Sequence, residues 1–113
     1  MREYEAVIVI QPDLDDEGVT AVVTQVGDHV RRSGGEVVAS GQLTDKRGHV
    51  SEVVEKWNKR RLAYPIRGHV EGYYAVLRLH LPPEAVGPVE TAMGINESIL
   101  RYLVVRDEAA VEE

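Results

Sequence analysis

Lys59, Arg60 and Arg61 stand in a row within WNKRRLAYPIRGHVEGYY, the segment from Trp57 to Tyr74 that also holds Tyr64, Pro65 and Tyr73. These side chains are suited to phosphate and to flat surfaces. A guanidinium offers a planar fork of N–H donors to phosphate oxygens, and an ammonium offers a point charge. A tyrosine ring offers a face to an unstacked base or to a partner's apolar atoms. The chain around them is acidic, with a formal net charge of −6. Its charge is sorted: residues 1–45 balance at −6, residues 46–67 at +5 and residues 68–113 at −5. That argues against a broad basic face for non-specific nucleic-acid binding, but it permits one local contact with phosphates. A row of cations also protects a solvated strand edge from aggregation. Composition leaves these two readings even.

Other chemistries find no support. The chain has no cysteine, which excludes disulfides, thiolate catalysis and cysteine metal sites. His29, His49, His69 and His80 fall on different elements at no ligand spacing. Asp13, Asp15, Asp16 and Glu17 read as helix-start residues rather than as a general acid and base. Gly34-Gly35 ends a helix instead of opening a phosphate loop. No Ser or Thr has a His/Asp setting to activate it. The chain is therefore expected to be no enzyme, with no catalytic residue, metal, cofactor or small-molecule substrate. No apolar run reaches the roughly 20 residues of a membrane helix, and MREYE opens a strand-like segment rather than a secretory leader. A cytoplasmic, reducing setting is the expectation.

The elements that must position the cationic segment follow from periodicity. With 43% hydrophobic and 28% charged residues in 113, the chain is expected to fold as one domain over residues 1–106, with an acidic tail at 107–113. Tyr4–Ile10 alternates, placing Ala6, Ile8 and Ile10 on one face. Val19, Val22, Val23, Val26 and Val30 make a helical stripe that Ser33-Gly34-Gly35 stops. A second strand begins over Glu36–Ala39, and residues 40–52 read as a loop or projecting hairpin. Extended structure is expected from Val53 to Ile66, then a turn at Arg67-Gly68-His69. Over Gly72–Leu81, Ala75, Leu77, Leu79 and Leu81 face a core, while Tyr74, Val76, Arg78 and His80 face the other way. Pro82-Pro83-Glu84 opens a second helix with Val86, Val89, Ala92 and Met93 inward; Pro88 requires either a kink or a start near Gly87. Ile99–Arg106 is the last strand. The order β-α-β-β-α-β is the ferredoxin-like, split βαβ plan: an α+β fold with a four-stranded antiparallel sheet and two helices on one face.

The motif WNKRRLAYPI at Trp57–Ile66, followed by EGYY at Glu71–Tyr74, resembles the bacterial small-subunit ribosomal protein six family. The likeness extends to MREYE, to Ile10-Gln11-Pro12, to Gly34-Gly35 and to NESILRYLVVR at Asn96–Arg106, so it covers essentially the whole chain. It implies a ferredoxin-like protein that binds the central domain of small-subunit ribosomal RNA beside ribosomal protein eighteen. This chain departs from the family pattern in two places. Glu36–Lys56 is longer than usual, implying an insertion in the second strand whose Lys46 and Arg47 are more readily a solvated hairpin than a further contact. Asn58 replaces a glycine after the tryptophan.

On a strand, Arg60 shares a face with Leu62 and Tyr64, whereas Lys59 and Arg61 share the opposite one. At least one cation then lies beside a tyrosine. Phosphate contacts are expected from Lys59, Arg60 and Arg61, with Arg2, Arg101 and Arg106 contributing from adjacent strand ends. Tyr64, Tyr74 and above all Trp57 are expected at a protein interface, since Trp is enriched in binding hot spots. The sheet face away from the helices, with Val7, Val9, Val76, Leu103 and Val105, is too apolar for water alone. A neighbouring protein or a sheet-to-sheet homodimer would cover it; the competing function is a regulatory or ligand-binding homodimer.

Overall fold

A computed structural model describes residues 1–45 and 48–106. Strand β1 (Arg2–Ile10) runs through the middle of the sheet, and Ala6, Ile8 and Ile10 are fully buried on one side of it. Helix α1 (Asp16–Arg32) begins where the Asp15 carboxylate accepts the Gly18 N–H at 2.8 Å. That bond satisfies one of the helix's otherwise unpaired first donors. Its inward stripe is the one read from the sequence: Val19, Val22, Val26 and Val30 are buried. Valine is a mediocre helix former, so α1 depends on packing that stripe against the sheet. The helix ends in a Schellman arrangement, with Gly34 N–H on Arg31 O, Gly35 N–H on Val30 O and Gly34 at φ 90°.

Strand β2 (Glu36–Leu43) runs four residues beyond the expected Ala39 and turns into a two-residue strand, β3 (Val50–Ser51), through Gln42↔Ser51 and Leu43↔Val50. Residues 40–52 are thus part strand and part hairpin. Lys46, Arg47 and the tail at 107–113 lie outside the described residues. Extended structure does not resume at Val53; strand β4 starts at Arg60 and ends at Ile66. Residues 53–59 belong to no strand. Side-chain hydrogen bonds hold the end of that stretch in place of a ladder, as described below. β5 (His69–Leu81) follows a two-residue turn in which Arg67 and Gly68 both have positive φ, as the tight hairpin linking paired Ile66 and His69 requires.

Pro83–Ala85 forms a single 3-10 turn, and helix α2 (Val86–Gly94) starts directly after it. Pro88 therefore sits in the first turn of α2, where a missing N–H breaks no helical bond. Strand β6 (Ile99–Arg106) is the last strand of the described residues.

The strand order is β3-β2-β5-β1-β6, all pairings antiparallel. Its four long members, β2-β5-β1-β6, are the ferredoxin-like sheet. β4 pairs with β5 where β2 leaves off: β2 ends opposite Ala75 and β4 begins opposite Gly72. The excursion between Leu43 and Arg60 therefore interrupts the strand that flanks β5. Both helices pack on one face, where Leu77, Leu79, Leu81, Val89 and Met93 join the valines of α1 in the main core. Leu79→Ala is expected to cost about 2–5 kcal/mol because it opens a cavity in a fully buried layer. Leu103→Ala, on the exposed side, should stay within about 0.5 kcal/mol; urea unfolding of both variants measures the contrast.

Candidate nucleic-acid and partner interface

The approach to the cationic row is fixed by polar bonds to three successive residues. Gln42, buried near the end of β2, donates from Nε2 to Lys56 O at 2.8 Å and accepts the Asn58 N–H on Oε1 at 3.1 Å. Between those contacts, the Trp57 N–H donates to the Asp16 carboxylate at 3.0 Å, and its indole N–H donates to Thr20 Oγ1 at 3.1 Å. The first turns of α1 and the end of β2 thus grip Lys56–Asn58 from two sides. Trp57 is 7% exposed and belongs to the main core. Most of the surface that would make it an interface anchor is thus buried within this chain. The side chain packs inward, with the backbone N–H and the indole N–H both finding acceptors on α1.

Beyond this grip the three cations separate. Arg60 is half-buried, its guanidinium 5.7 Å from the Tyr74 ring centroid and its Nη1 donating to Leu43 O at 3.3 Å. Lys59 and Arg61 are exposed, and neither has a side-chain partner among the described residues. Glu71 is the register partner of Arg61, but no ion pair joins the two. Alternation separates Arg60 from Lys59 and Arg61, but the ring that Arg60 meets is Tyr74 of β5 rather than Tyr64 of its own strand.

A second arginine–tyrosine pair lies on the same side of the sheet. Arg101 on β6 stands 5.6 Å from the Tyr64 ring centroid and donates to the Tyr64 hydroxyl at 2.6 Å. Tyr64 remains 53% exposed. The two pairs border a hollow of about 170 Å³ lined by Val7, Val9, Leu62 and Leu103. Val9, Leu62 and Leu100 form a small second core there, with Ile66 and Tyr74 against it. β4 thus folds over one end of the face opposite the helices. Val9, in that small core, and Val76, beside His49 and Val50 of the β2–β3 hairpin, are each only 5% exposed, which corrects the expectation that they lie open; Leu103 and Val105 do lie open.

Register separates the remaining arginines. Arg101 crosses the β1 strand at Val9, whereas Arg106 lies opposite Tyr4 and Arg2 opposite Leu81. Arg2 and Arg106 are exposed at the far end of the sheet, away from Arg60, Arg61 and Arg101. The five residues from Arg101 to Arg106 span about 17 Å at strand rise. Gln42 drew no attention in the sequence: a lone polar residue in a strand pattern carries no signal of what it binds. Gln42→Ala is expected to cost about 1–3 kcal/mol, since it leaves two backbone groups unpaired in a half-buried setting, and to speed amide exchange at Asn58. Denaturant unfolding and exchange of that one amide check both parts.

Comparison with known proteins agrees with this architecture. The family model for ribosomal protein S6 matches residues 39–106. Small ribosomal subunit protein bS6 of Heliobacterium modesticaldum is 35% identical over 108 residues, covering 96% of this chain and 98% of that protein. The bS6 protein of Rhodococcus opacus is 37% identical over 106 residues, covering 94% and 97%. The crystal structure of 30S ribosomal protein S6 from Thermotoga maritima shares the fold with a TM-score of 0.79, at 19% identity, covering 98% of this chain and 92% of that one. Taken with the sheet order and the WNKRRLAYPI segment, these similarities show that the chain belongs to the ribosomal protein S6 family.

Proposed function

We propose that this small-subunit S6 protein binds the central domain of small-subunit ribosomal RNA together with ribosomal protein eighteen. Relatives across nearly its whole length are named as small ribosomal subunit proteins rather than enzymes, which gives the chain a structural role in the bacterial cytoplasmic ribosome. The observation that carries the finer reading is the division of labour at the start of β4. Lys59 and Arg61 reach solvent without a partner among the described residues, while Arg60 and Arg101 are held on tyrosines beside an apolar, partly open sheet face.

The exposed cations suit phosphate oxygens, and the arginines on tyrosines keep donors free at little further cost in side-chain entropy. Tyr64 and the rim of Tyr74 suit a protein neighbour resting on the hollow. Arg2 and Arg106, at the other end of the sheet, would meet a separate stretch of backbone. A net charge of −6 opposes binding of RNA by this chain alone. A partner that covers Leu103 and Val105 and brings its own positive charge removes that opposition. RNA affinity is therefore expected to be weak alone and to rise when ribosomal protein eighteen is present.

The Lys59→Ala/Arg61→Ala double variant should bind central-domain RNA more weakly in the partner's presence. Its log–log salt dependence should become shallower by about one for each phosphate contact removed, with unfolding unchanged. Filter binding across a salt series measures this; wild-type affinity and slope in the double variant would overturn the assignment. Light scattering distinguishes the homodimer reading, which requires a stable dimer indifferent to RNA.

A further inference from the structure

β6 is the last strand on its side of the sheet. It pairs with β1 and with no other strand among the described residues. Its outer edge therefore presents a row of backbone N–H and C=O groups without a ladder partner, which is a template for another strand.

The opposite border of the sheet is treated differently. There β2 carries a bulge between Val37 and Ala39, and the sheet closes on the two-residue β3. Short strands and bulges are the ordinary means of discouraging unwanted pairing. β6 has neither along most of its length. It is eight residues long, ILRYLVVR, with no proline, glycine or lysine, and its one register shift lies at the end that meets Ile10. Leu103 is 56% exposed and Val105 43% exposed on the face away from the helices, and Tyr102 is 37% exposed on the other. The strand's only charges are Arg101 and Arg106.

We propose that the β6 edge accepts an extended segment of a partner protein as an added strand. Backbone bonds to β6 would supply affinity, and aliphatic or aromatic side chains of the segment would rest on Leu103 and Val105. A carboxylate on the segment across from Arg101 would fix its register, since opposite charges stabilise facing positions on neighbouring strands. The inference rests on the reading that this S6 protein works beside a protein partner, and it specifies how that partner attaches. RNA is disfavoured along the middle of this edge, between Arg101 and Arg106, because it has no peptide ladder to offer and its phosphates would lie against Leu103 and Val105. A second copy paired through the same strand is disfavoured too, since it brings two more arginines and no carboxylate.

The test uses the full chain and purified ribosomal protein eighteen. Calorimetry reads binding, and amide exchange reads the outward-pointing N–H groups between Leu100 and Val105. The proposal expects those amides, open in the free chain, to slow by more than about tenfold in the complex, as one new set of backbone bonds requires. It also expects Leu103→Lys/Val105→Lys to weaken binding by about tenfold or more with unfolding unchanged, and Arg101→Glu to weaken it as well. Binding with β6 exchange unaltered would overturn the added strand while leaving the proposed function standing. Absence of binding would overturn both. Slowing produced by central-domain RNA alone, or by the chain alone in step with a doubling of mass, would assign the edge to RNA or to a second copy and overturn the proposal.

Discussion

The arrangement depends on returning the chain to the sheet after an excursion. The backbone leaves the flank of β5 after Leu43 and rejoins it at Arg60, and the described residues between include a strand of just two residues. Its polar groups still need partners where it crosses the start of α1, because an unpaired group there costs as much as a lost hydrogen bond. Gln42, Asp16 and Thr20 provide them. Since Trp57 is simultaneously buried, the return is fixed both by polar bonds and by apolar packing. The place of every cation on β4 follows from that fixed return.

From the same return comes the character of the face opposite the helices. β4 lays Leu62 and Ile66 over Val9 and Leu100, so one end of the face is a small core of its own. Arg60 and Arg101 lie over tyrosine rings at its border, where an aromatic face attracts a cation without neutralising it. Toward β6 the covering stops, and Leu103 and Val105 remain in water. A single face thus combines two arginines held on tyrosine rings with exposed aliphatic surface.

Much of the fold was legible because the signals are local and repeat. The valine stripe of α1, the alternation along β5 and the stop at Gly34-Gly35 are periodic or conformational, and the structure follows them. Pro88 was ambiguous only because two helix starts fit it; the 3-10 turn ahead of α2 resolves the choice. The reading failed where no period operates. Residues 53–59 looked extended since Val53, Val54 and Trp57 favour strands, yet no neighbouring strand among the described residues takes their bonds. The burial of Trp57 was not legible either, because residue type does not report the acceptors that lie on α1. Arg2, Arg101 and Arg106 looked like neighbours because each is near a strand end, and only register shows which end.

The sequence by itself determined the order of the two helices and four long strands, the core-facing residues of β1, α1 and β5, the sorting of charge into one cationic stretch and, through WNKRRLAYPI, the family. These depend on spacing within a few residues, where helix and strand periods dictate which side chains point together. Tertiary structure alone decided that Trp57 turns inward, that Arg60 and Arg101 each meet a tyrosine from another strand, that Arg2 and Arg106 stand at the far end, and that β6 has no second ladder partner among the described residues. Each of those joins residues distant in the chain, such as Gln42 with Asn58 or Tyr64 with Arg101, whose meeting is set by strand register and by the path of an irregular segment rather than by any local pattern.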